Sequence, residues 1–398
     1  MSPLATALTT TTAALVVVAL NMLVVPVLAP AIAADLGVST TLAGTWMSIL
    51  WLGGIFSSVF AGSLVGRHGV IRVTQGYLLV CAAGQLLGAL SPSFSRGADL
   101  LLLGGMALLV GIASGLETPA GSQLLARVAP TGRRSIVFSI KQAGQPAGSF
   151  LAGLGFPTLA AIFGWRGVAI CMLLLSVALA GAIQPARRAF DASRDPRPAA
   201  TLASIATAMR LAVRDTALRR LSIISFTYGF TQICMNTFLV SFLVQDFRLS
   251  LVAAGSMLAA AQVGGFIGRI GWGYVADRFV RPRIVVALLG IVTSTAAIVL
   301  GLLPHGSTGL LLPLCFVFGL TASGWNGVFL AEVVRLAPAH HVGEATSGVL
   351  TICHIGLMIG PLLFAAIAAA WSFGIAYIAI ACVTLASAFL MLRRYPGR

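Results

Sequence analysis

The sequence predicts an all-α membrane protein with twelve transmembrane helices in two pseudo-symmetric halves, and three observations support this fold. Hydrophobic residues make up 58% of the 398-residue chain and charged residues only 9%, whereas soluble proteins have roughly 25% charged residues. Twelve apolar runs have about the length, roughly 20 residues, that a helix needs to cross a bilayer. They lie near 12–34, 42–65, 73–92, 99–126, 136–160, 167–185, 221–245, 251–275, 284–303, 309–334, 345–369 and 372–392. The third observation is an internal repeat.

The repeat relates the two halves of the chain at an offset of 211 residues. Without a gap it gives eight identities: Asp35 with Asp246, Ser39 with Ser250, Gly44 with Gly255, Gly53 and Gly54 with Gly264 and Gly265, Gly62 with Gly273, Arg67 with Arg278, and Arg72 with Arg283. Most are Gly or Arg, which close backbone contact and charge placement select. Duplicated membrane proteins of this kind are commonest among transporters.

The first apolar run predicts a retained helix rather than a cleaved signal peptide. Ala31-Ile32-Ala33 resembles a cleavage site, but residues 1–10 contain none of the Lys or Arg that precede the apolar part of a signal peptide. Asn21 also matches Gln232 at the offset of 211, so this run has a counterpart in the second half.

Basic residues predict the orientation of the helices. Twenty of the 25 Lys and Arg fall on one side of the twelve spans: Arg67, Arg72, Arg127, Arg133, Arg134, eight arginines from Arg187 to Arg220, Arg278, Arg281, Arg283, Arg335, Arg393, Arg394 and Arg398. Only Arg96, Arg166 and Arg248 lie on the other side. Basic loops stay in the cytoplasm, so we expect a multi-pass protein of the cytoplasmic (inner) membrane with both termini inside. The net charge of +15 then reports orientation and does not indicate nucleic-acid binding.

One long polar connection divides the chain. It covers residues 186–220 and contains Asp195-Pro196-Arg197-Pro198. We therefore expect an N-terminal six-helix bundle at 1–185, a cytoplasmic linker at 186–220 and a C-terminal six-helix bundle at 221–398. Residues 201–214 of the linker are predicted to form a surface helix.

The cysteines do not indicate a cofactor. Cys81, Cys171, Cys234, Cys315, Cys353 and Cys382 each lie in a different predicted span. Their spacing suits neither a disulfide framework nor a metal site, so we expect small packing residues, no metal and no cofactor.

The loops after the second and eighth spans carry a family motif. The second copy has Gly273, Asp277, Arg278 and Arg281, and the first has Gly62, Arg67, Gly69 and Arg72, with Gly66 in place of the acid. Both resemble the Gly-x-x-x-Asp-Arg-x-Gly-Arg loop of the major facilitator superfamily. With twelve spans and a basic middle loop, the resemblance covers the whole chain. It implies two six-helix bundles that rock about a central cavity, open to each side in turn.

The same loops suggest a gate. A carboxylate and arginines at helix ends can bridge the cytoplasmic ends of the two halves and so stabilise the state closed to the cytoplasm. Asp277 can serve this role, whereas Gly66 cannot. The eight motif residues just named are therefore our candidate gating residues. The alternative is that these arginines only set orientation.

Charged residues inside the spans are few, and each is a functional candidate because burying a charge in a membrane is costly. Lys141 lies in the fifth predicted span, Arg269 in the eighth and Glu117 in the fourth. Glu332 is three residues from Arg335 and is expected near the interface. Glu117 is our candidate for proton coupling, since a buried carboxylate can take up a proton unless a cation is near. A structural Glu117–Lys141 ion pair is an equally open interpretation.

Polar side chains at helical spacing add candidate substrate contacts. Tyr228, Gln232 and Asn236 follow i, i+4, i+8 on the seventh span. The full set of candidates is Asn21, Lys141, Gln142, Gln145, Tyr228, Gln232, Asn236, Gln262, Arg269, Trp325, Asn326 and His354. For many of them the alternative is simple hydrogen bonding between helices.

Charge suggests the substrate. Two deep cations against one deep acid favour a small anionic solute, organic or inorganic, with Arg269 able to grip a carboxylate with two donors. The string Gly268-Arg269-Ile270-Gly271-Trp272-Gly273 resembles the eighth span of oxalate/formate and monocarboxylate porters, which implies that Arg269 binds the anion. The alternative for Arg269 is a partner for Asp277.

The sequence therefore predicts a secondary active transporter that works as a monomer in the lipid bilayer, with Glu117 as the candidate if a proton is the coupling ion. The first alternative is a drug or metabolite exporter of the same superfamily, although Gly144-Gln145-Pro146-Ala147-Gly148 lacks the Gly-Pro-x-x-Gly-Gly order of the drug/proton antiporters. A membrane enzyme or sensor is a distant alternative, because no metalloprotease, serine-hydrolase or phosphate-binding motif is present.

Overall fold

A computed structural model describes residues 2–91, 96–130, 134–191, 202–304, 306–338 and 341–392. The described chain is helical without strands, and its α-helices are α1 Pro3–Leu36, α2 Leu42–His68, α3 Val70–Ala89, α4 Arg96–Val128, α5 Arg134–Gln142, α6 Gly144–Ala182, α7 Arg187–Phe190, α8 Leu202–Arg214, α9 Thr216–Gln245, α10 Leu251–Arg278, α11 Pro282–Leu302, α12 Leu311–Ala322, α13 Trp325–Leu336, α14 Val342–Ala370 and α15 Phe373–Leu392.

Eleven described helical stretches are long and apolar enough to cross a membrane, and one of them accounts for two predicted spans. At about 1.5 Å per residue, the 39 residues of α6 would be nearly twice as long as a bilayer is thick. Gly164, with φ 70° and ψ 170°, breaks this helix.

Contacts with α1 show that the chain reverses at Gly164. A Cβ on Gly148 would lie 2.6 Å from the Val16 carbonyl oxygen, Trp165 Nε1 donates to Asp35 Oδ2 at 3.0 Å, and Ser176 returns to Asn21. The two halves of α6 are therefore separate spans, and the prediction of twelve spans is confirmed.

The described helices fall into two compact units. The first unit comprises Met1–Ser39 and Ile49–Ala200, and the second comprises Thr40–Ser48 and Thr201–Arg398. In the first unit α1 packs against α4 and α6, and α3 packs against α4 and α6. In the second unit α9 packs against α14 and α15, while α10 packs against α12.

The repeated glycines explain how the helices of each unit cross. A Cβ on Gly53 of α2 would lie 2.7 Å from the Leu108 carbonyl oxygen of α4. In the second unit, a Cβ on Gly264 of α10 would collide with the Phe316 carbonyl oxygen of α12. Only a residue without a side chain allows backbones to approach this closely, so the repeat preserves the same crossing twice.

The predicted helix of the linker exists and belongs to the second unit. Ala208 and Ala212 of α8 are buried, and Gly348 of α14 leaves no room for a Cβ against the Ala208 carbonyl group. One apolar face of α8 thus packs on α14, while Arg210 and Arg214 on its other face are exposed.

Candidate functional site

A buried ion pair occupies the first unit. Lys141 Nζ lies 2.8 Å from Glu117 Oε1 and 3.1 Å from Oε2, and both side chains are 1% exposed. The Thr118 hydroxyl donates to Glu117 Oε2 at 2.9 Å. The carboxylate therefore has two donors from two different helices, and the ammonium group is held by a fully buried carboxylate.

Local sequence makes room for this pair. Gly121 follows Glu117 by about one helical turn on α4, and a Cβ there would lie 3.0 Å from Lys141 Cε and 3.4 Å from Nζ. A side chain at position 121 would push the lysine away from its partner. The Glu-x-x-x-Gly spacing on α4 thus opens the space that the lysine needs.

The helix that carries Lys141 is interrupted next to it. α5 ends at Gln142 and α6 begins at Gly144. Pro146 has no N–H to donate to the Gln142 carbonyl group, which explains the irregularity. Gln142 is exposed here and Gln145 is half-buried, so both predicted contacts lie within one turn of the lysine.

A second polar group lies in the second unit and joins α9, α10 and the break between α12 and α13. Gln232 Oε1 accepts hydrogen bonds from Trp325 Nε1 at 3.2 Å and from Asn326 Nδ2 at 3.4 Å. Arg269 Nε donates to the Ser323 carbonyl oxygen at 3.3 Å, and Asn326 Nδ2 reaches the same oxygen at 3.4 Å. We call Gln232, Arg269, Ser323, Trp325 and Asn326 the amide–arginine cluster.

The break beside Arg269 lies where α10 packs closely against the chain at Gly324. α12 ends at Ala322 and α13 begins at Trp325. A Cβ on Gly324 would lie 2.5 Å from the Leu320 carbonyl oxygen and 2.7 Å from a ring carbon of Trp272. The first N–H groups of a helix have no partner within it and carry partial positive charge. A guanidinium group and a helix N-terminus are therefore close together, which suits an anion.

Tyr228 and Asn236, which lie one turn from Gln232 on either side along α9, have different partners. Asn236 Oδ1 accepts from Gln262 Nε2 at 2.9 Å. The Tyr228 hydroxyl instead donates to the Val286 carbonyl oxygen of α11 at 2.9 Å, and its ring packs edge-on against Trp325 with centroids 5.6 Å apart. Tyr228 thus contacts the cluster through the ring of Trp325, and its hydroxyl group points away to α11.

The structure gives the surroundings of two other candidates, Asn21 and His354. Asn21 is fully buried, and its Nδ2 donates to the Val17 carbonyl oxygen at 2.7 Å and to Ser176 Oγ at 3.1 Å. His354 is half-buried on α14. A role for either in substrate binding stays a prediction.

Sequence reasoning missed Asp191, which holds the start of α3. Its Oδ1 accepts from the Ile71 backbone N–H at 2.9 Å and its Oδ2 from the Arg72 N–H at 3.1 Å, and it is 5% exposed. Gly69 has φ 92°, and a Cβ there would collide with the Asp191 carboxylate. The available signal was an acid standing alone between Arg188 and Arg194.

The structure also gives the placement of the other candidate gating residues. Arg67, Arg72, Asp277, Arg278 and Arg281 are exposed, whereas Gly62 and Gly273 are half-buried. Their role in gating stays a prediction.

Glu332 was expected near the membrane interface, but the structure buries it. Its side chain is fully buried, while its partner Arg335 is 55% exposed and donates two hydrogen bonds at 2.7 and 2.6 Å. The arginine reaches outward from the helix end, so it can meet water while it neutralises the buried acid.

Known proteins resemble the whole chain. The chain is 26% identical to a gallate transporter of Pseudomonas putida over 367 residues, which cover 85% of this chain and 80% of the relative. It is 25% identical to a 4-hydroxybenzoate transporter of Pseudomonas putida over 377 residues, 87% of this chain and 80% of the relative. The fold matches a crystal structure of a D-xylose–proton symporter with a TM-score of 0.75 and 15% identity, covering 99% and 98% of the two chains.

The match to a family model agrees with these resemblances. The model of the Major Facilitator Superfamily matches residues 10–354, which include both polar groups described above. The predicted resemblance is thereby confirmed, and so is the prediction that the protein is a transporter and not an enzyme. The chain belongs to the Major Facilitator Superfamily.

Proposed function

We propose that this transporter carries a small organic carboxylate across the cytoplasmic membrane. The observation that carries the proposal is the position of Arg269. Its guanidinium group donates a hydrogen bond to the Ser323 carbonyl oxygen at the α12–α13 break. An arginine can bind a carboxylate through two parallel hydrogen bonds, and the N-terminus of α13 adds partial positive charge.

The relatives point to the same chemistry. Gallate and 4-hydroxybenzoate, named for two relatives, are both hydroxylated aromatic carboxylates. We therefore propose an aromatic carboxylate as the substrate, with Gln232, Asn326, Asn236 and Gln262 as polar contacts. Lys141, Gln142, Gln145 and His354 complete the proposed substrate path.

The transport cycle follows from the family. Two six-helix bundles, 1–185 and 221–398, alternate access around the substrate, and the linker 186–220 connects them. In this proposal Glu117 takes up and releases the coupling proton, and its partner Lys141, 2.8 Å away, or the substrate anion sets when the proton is released. The protein acts as a monomer in the inner membrane with both termini in the cytoplasm.

Arg269→Lys tests the proposal. A lysine keeps the charge but cannot form the two-donor grip. We expect the free energy of binding of 4-hydroxybenzoate to weaken by about 1–3 kcal/mol, the scale of a hydrogen bond to a charged group. Binding to the purified protein and uptake into proteoliposomes both measure this, and Arg219→Lys, at an exposed arginine of the same unit, is the matched control.

The outcomes separate the alternatives. Wild-type carboxylate affinity in Arg269→Lys would remove Arg269 from the site. Transport of hydrophobic cations with no response to carboxylates would instead support the exporter alternative.

A further inference from the structure

The neighbours of Gln232 determine which way its amide group points. Its Oε1 accepts hydrogen bonds from Trp325 Nε1 and Asn326 Nδ2. An indole N–H can only donate, so the atom of Gln232 that faces Trp325 must be the oxygen. What Gln232 can then offer to a ligand is its Nε2 group, which carries two hydrogens.

Asn326 has its orientation set in the same way. Its Nδ2 reaches both Gln232 Oε1 and the Ser323 carbonyl oxygen, and neither of these atoms can donate. The same carbonyl oxygen accepts from Arg269. The Ser323 carbonyl group and the Asn326 amide therefore link Gln232 to the arginine through three hydrogen bonds of 3.3 to 3.4 Å, so the two side chains belong to one polar group.

Trp325 is itself held in place. It is 2% exposed, and its ring packs edge-on against Tyr228 at 5.6 Å and Phe329 at 5.1 Å between centroids. These contacts aim the indole N–H at Gln232. The amide of Gln232 cannot turn over without leaving that N–H unpaired in a buried place, which costs free energy.

We infer that Gln232 is a specificity-determining residue that presents only hydrogen-bond donors to the substrate, and that Trp325 is the positioning residue that enforces this. The inference rests on the proposed function, in which Arg269 binds the carboxylate. The transported anion then carries a second oxygen that accepts a hydrogen bond, such as a ring hydroxyl. A ligand with only a donor at that position is rejected, because two donors would face each other.

Three carboxylates of nearly equal shape test this: benzoate, 4-hydroxybenzoate and 4-aminobenzoate. A ring hydroxyl accepts a hydrogen bond well, whereas the amine lone pair is delocalised into the ring and accepts poorly. The affinity of purified full-length protein for each probe is measured by calorimetry. In the wild type we expect 4-hydroxybenzoate to bind roughly two- to tenfold more tightly than 4-aminobenzoate, the effect of one neutral hydrogen bond.

Trp325→Phe is the decisive variant. It keeps an aromatic ring against Tyr228 but removes the indole N–H. Gln232 Oε1 then keeps only the longer, 3.4 Å hydrogen bond from Asn326 Nδ2, so Gln232 can turn at a smaller cost and accept from the amine. The affinity ratio should fall toward one, chiefly because 4-aminobenzoate binds more tightly than it does to the wild type. Damage to the fold would weaken all three probes and cannot produce this gain.

Gln232→Met provides a second variant of similar length that can neither donate nor accept well. We expect it to remove the preference by weakening 4-hydroxybenzoate more than benzoate and 4-aminobenzoate, and it decides the matter if Trp325→Phe does not fold. Equal wild-type affinity for the hydroxy and amino probes, or a preference that persists in Gln232→Met, would overturn the inference and leave the carboxylate site intact. Failure of all three carboxylates to bind the wild type would overturn the proposed function and this inference with it.

Discussion

At the scale of single residues, Glu117 and Lys141 depend on each other. Both are almost completely buried and in direct contact, so removing one charge leaves the other unpaired in an apolar environment. Breaking such a pair costs roughly 3–5 kcal/mol. We expect Lys141→Met to lower the unfolding temperature strongly, as measured on protein in detergent, whereas the double variant with Glu117→Gln should recover part of the loss.

The proposed role of Glu117 in proton coupling leads to a separate prediction. If Glu117 carries the proton, Glu117→Gln should abolish accumulation driven by a pH gradient but leave counterflow exchange of labelled substrate intact. Glu344→Gln, at an exposed acid paired with His341, is the control and should keep both activities. Accumulation that survives in a folded Glu117→Gln protein would place the proton route elsewhere, with His354 as the next candidate.

At the scale of elements, the start of α3 depends on a carboxylate 119 to 120 residues away in sequence. Asp191→Ala removes both acceptors from the backbone N–H groups of Ile71 and Arg72. Loss of a helix cap costs about 0.5–2 kcal/mol, so we expect a measurably lower stability. Hydrogen exchange at Ile71 and Arg72 should also accelerate.

Asp215 offers a matched control for this cap. It caps α9 locally, accepting from the N–H groups of Ala217 and Leu218 at 2.9 and 3.0 Å. Asp215→Ala should accelerate exchange at α9 and leave α3 unchanged. Unchanged exchange at Ile71 in Asp191→Ala would show that the cap contributes nothing.

At the scale of the whole molecule, the two copies of the family loop differ in one acid. Asp277 stands in the second copy, whereas Gly66 replaces it in the first. If Asp277 stabilises the state closed to the cytoplasm, Asp277→Asn should shift the resting population toward the state open to the cytoplasm. A shift of about 1.4 kcal/mol changes the population ratio tenfold, and labelling of single cysteines introduced on the two faces of a cysteine-free background would detect it.

Gly66→Asp tests the same idea in the opposite direction, since it restores the family acid. We expect it to favour the state closed to the cytoplasm. If labelling on both faces is unchanged in Asp277→Asn, the loop only sets orientation in the membrane and the gating account is wrong.

The sequence predicted the spans and the buried charges of Glu117 and Lys141, because a bilayer demands long apolar helices and makes a buried charge conspicuous. It did not predict the burial of Glu332. It could not predict partners. The i, i+4 stripe of Tyr228, Gln232 and Asn236 defines one face of α9, yet the three side chains bond to three different helices. Spacing along one helix fixes direction only, and tertiary packing decides what each side chain meets.

Long-range contacts were beyond the sequence for the same reason. The cap by Asp191 joins segments that no local pattern relates, and the same holds for the close packing of Trp272 on Gly324 at the break between α12 and α13. Neither of them leaves a periodic signal in the sequence.

The helix crossing of the first unit matches that of the second residue by residue. Gly54 faces Ser114 in the first unit, as Gly265 faces Ser323 in the second, so a single duplicated ancestor accounts for both crossings. Counting on by three residues from each serine brings Glu117 into correspondence with Asn326. After the duplication, one copy of this position holds an acid and the other an amide that contacts Gln232. The two halves of the chain thus share a helix crossing and differ in the polar side chain three residues beyond it.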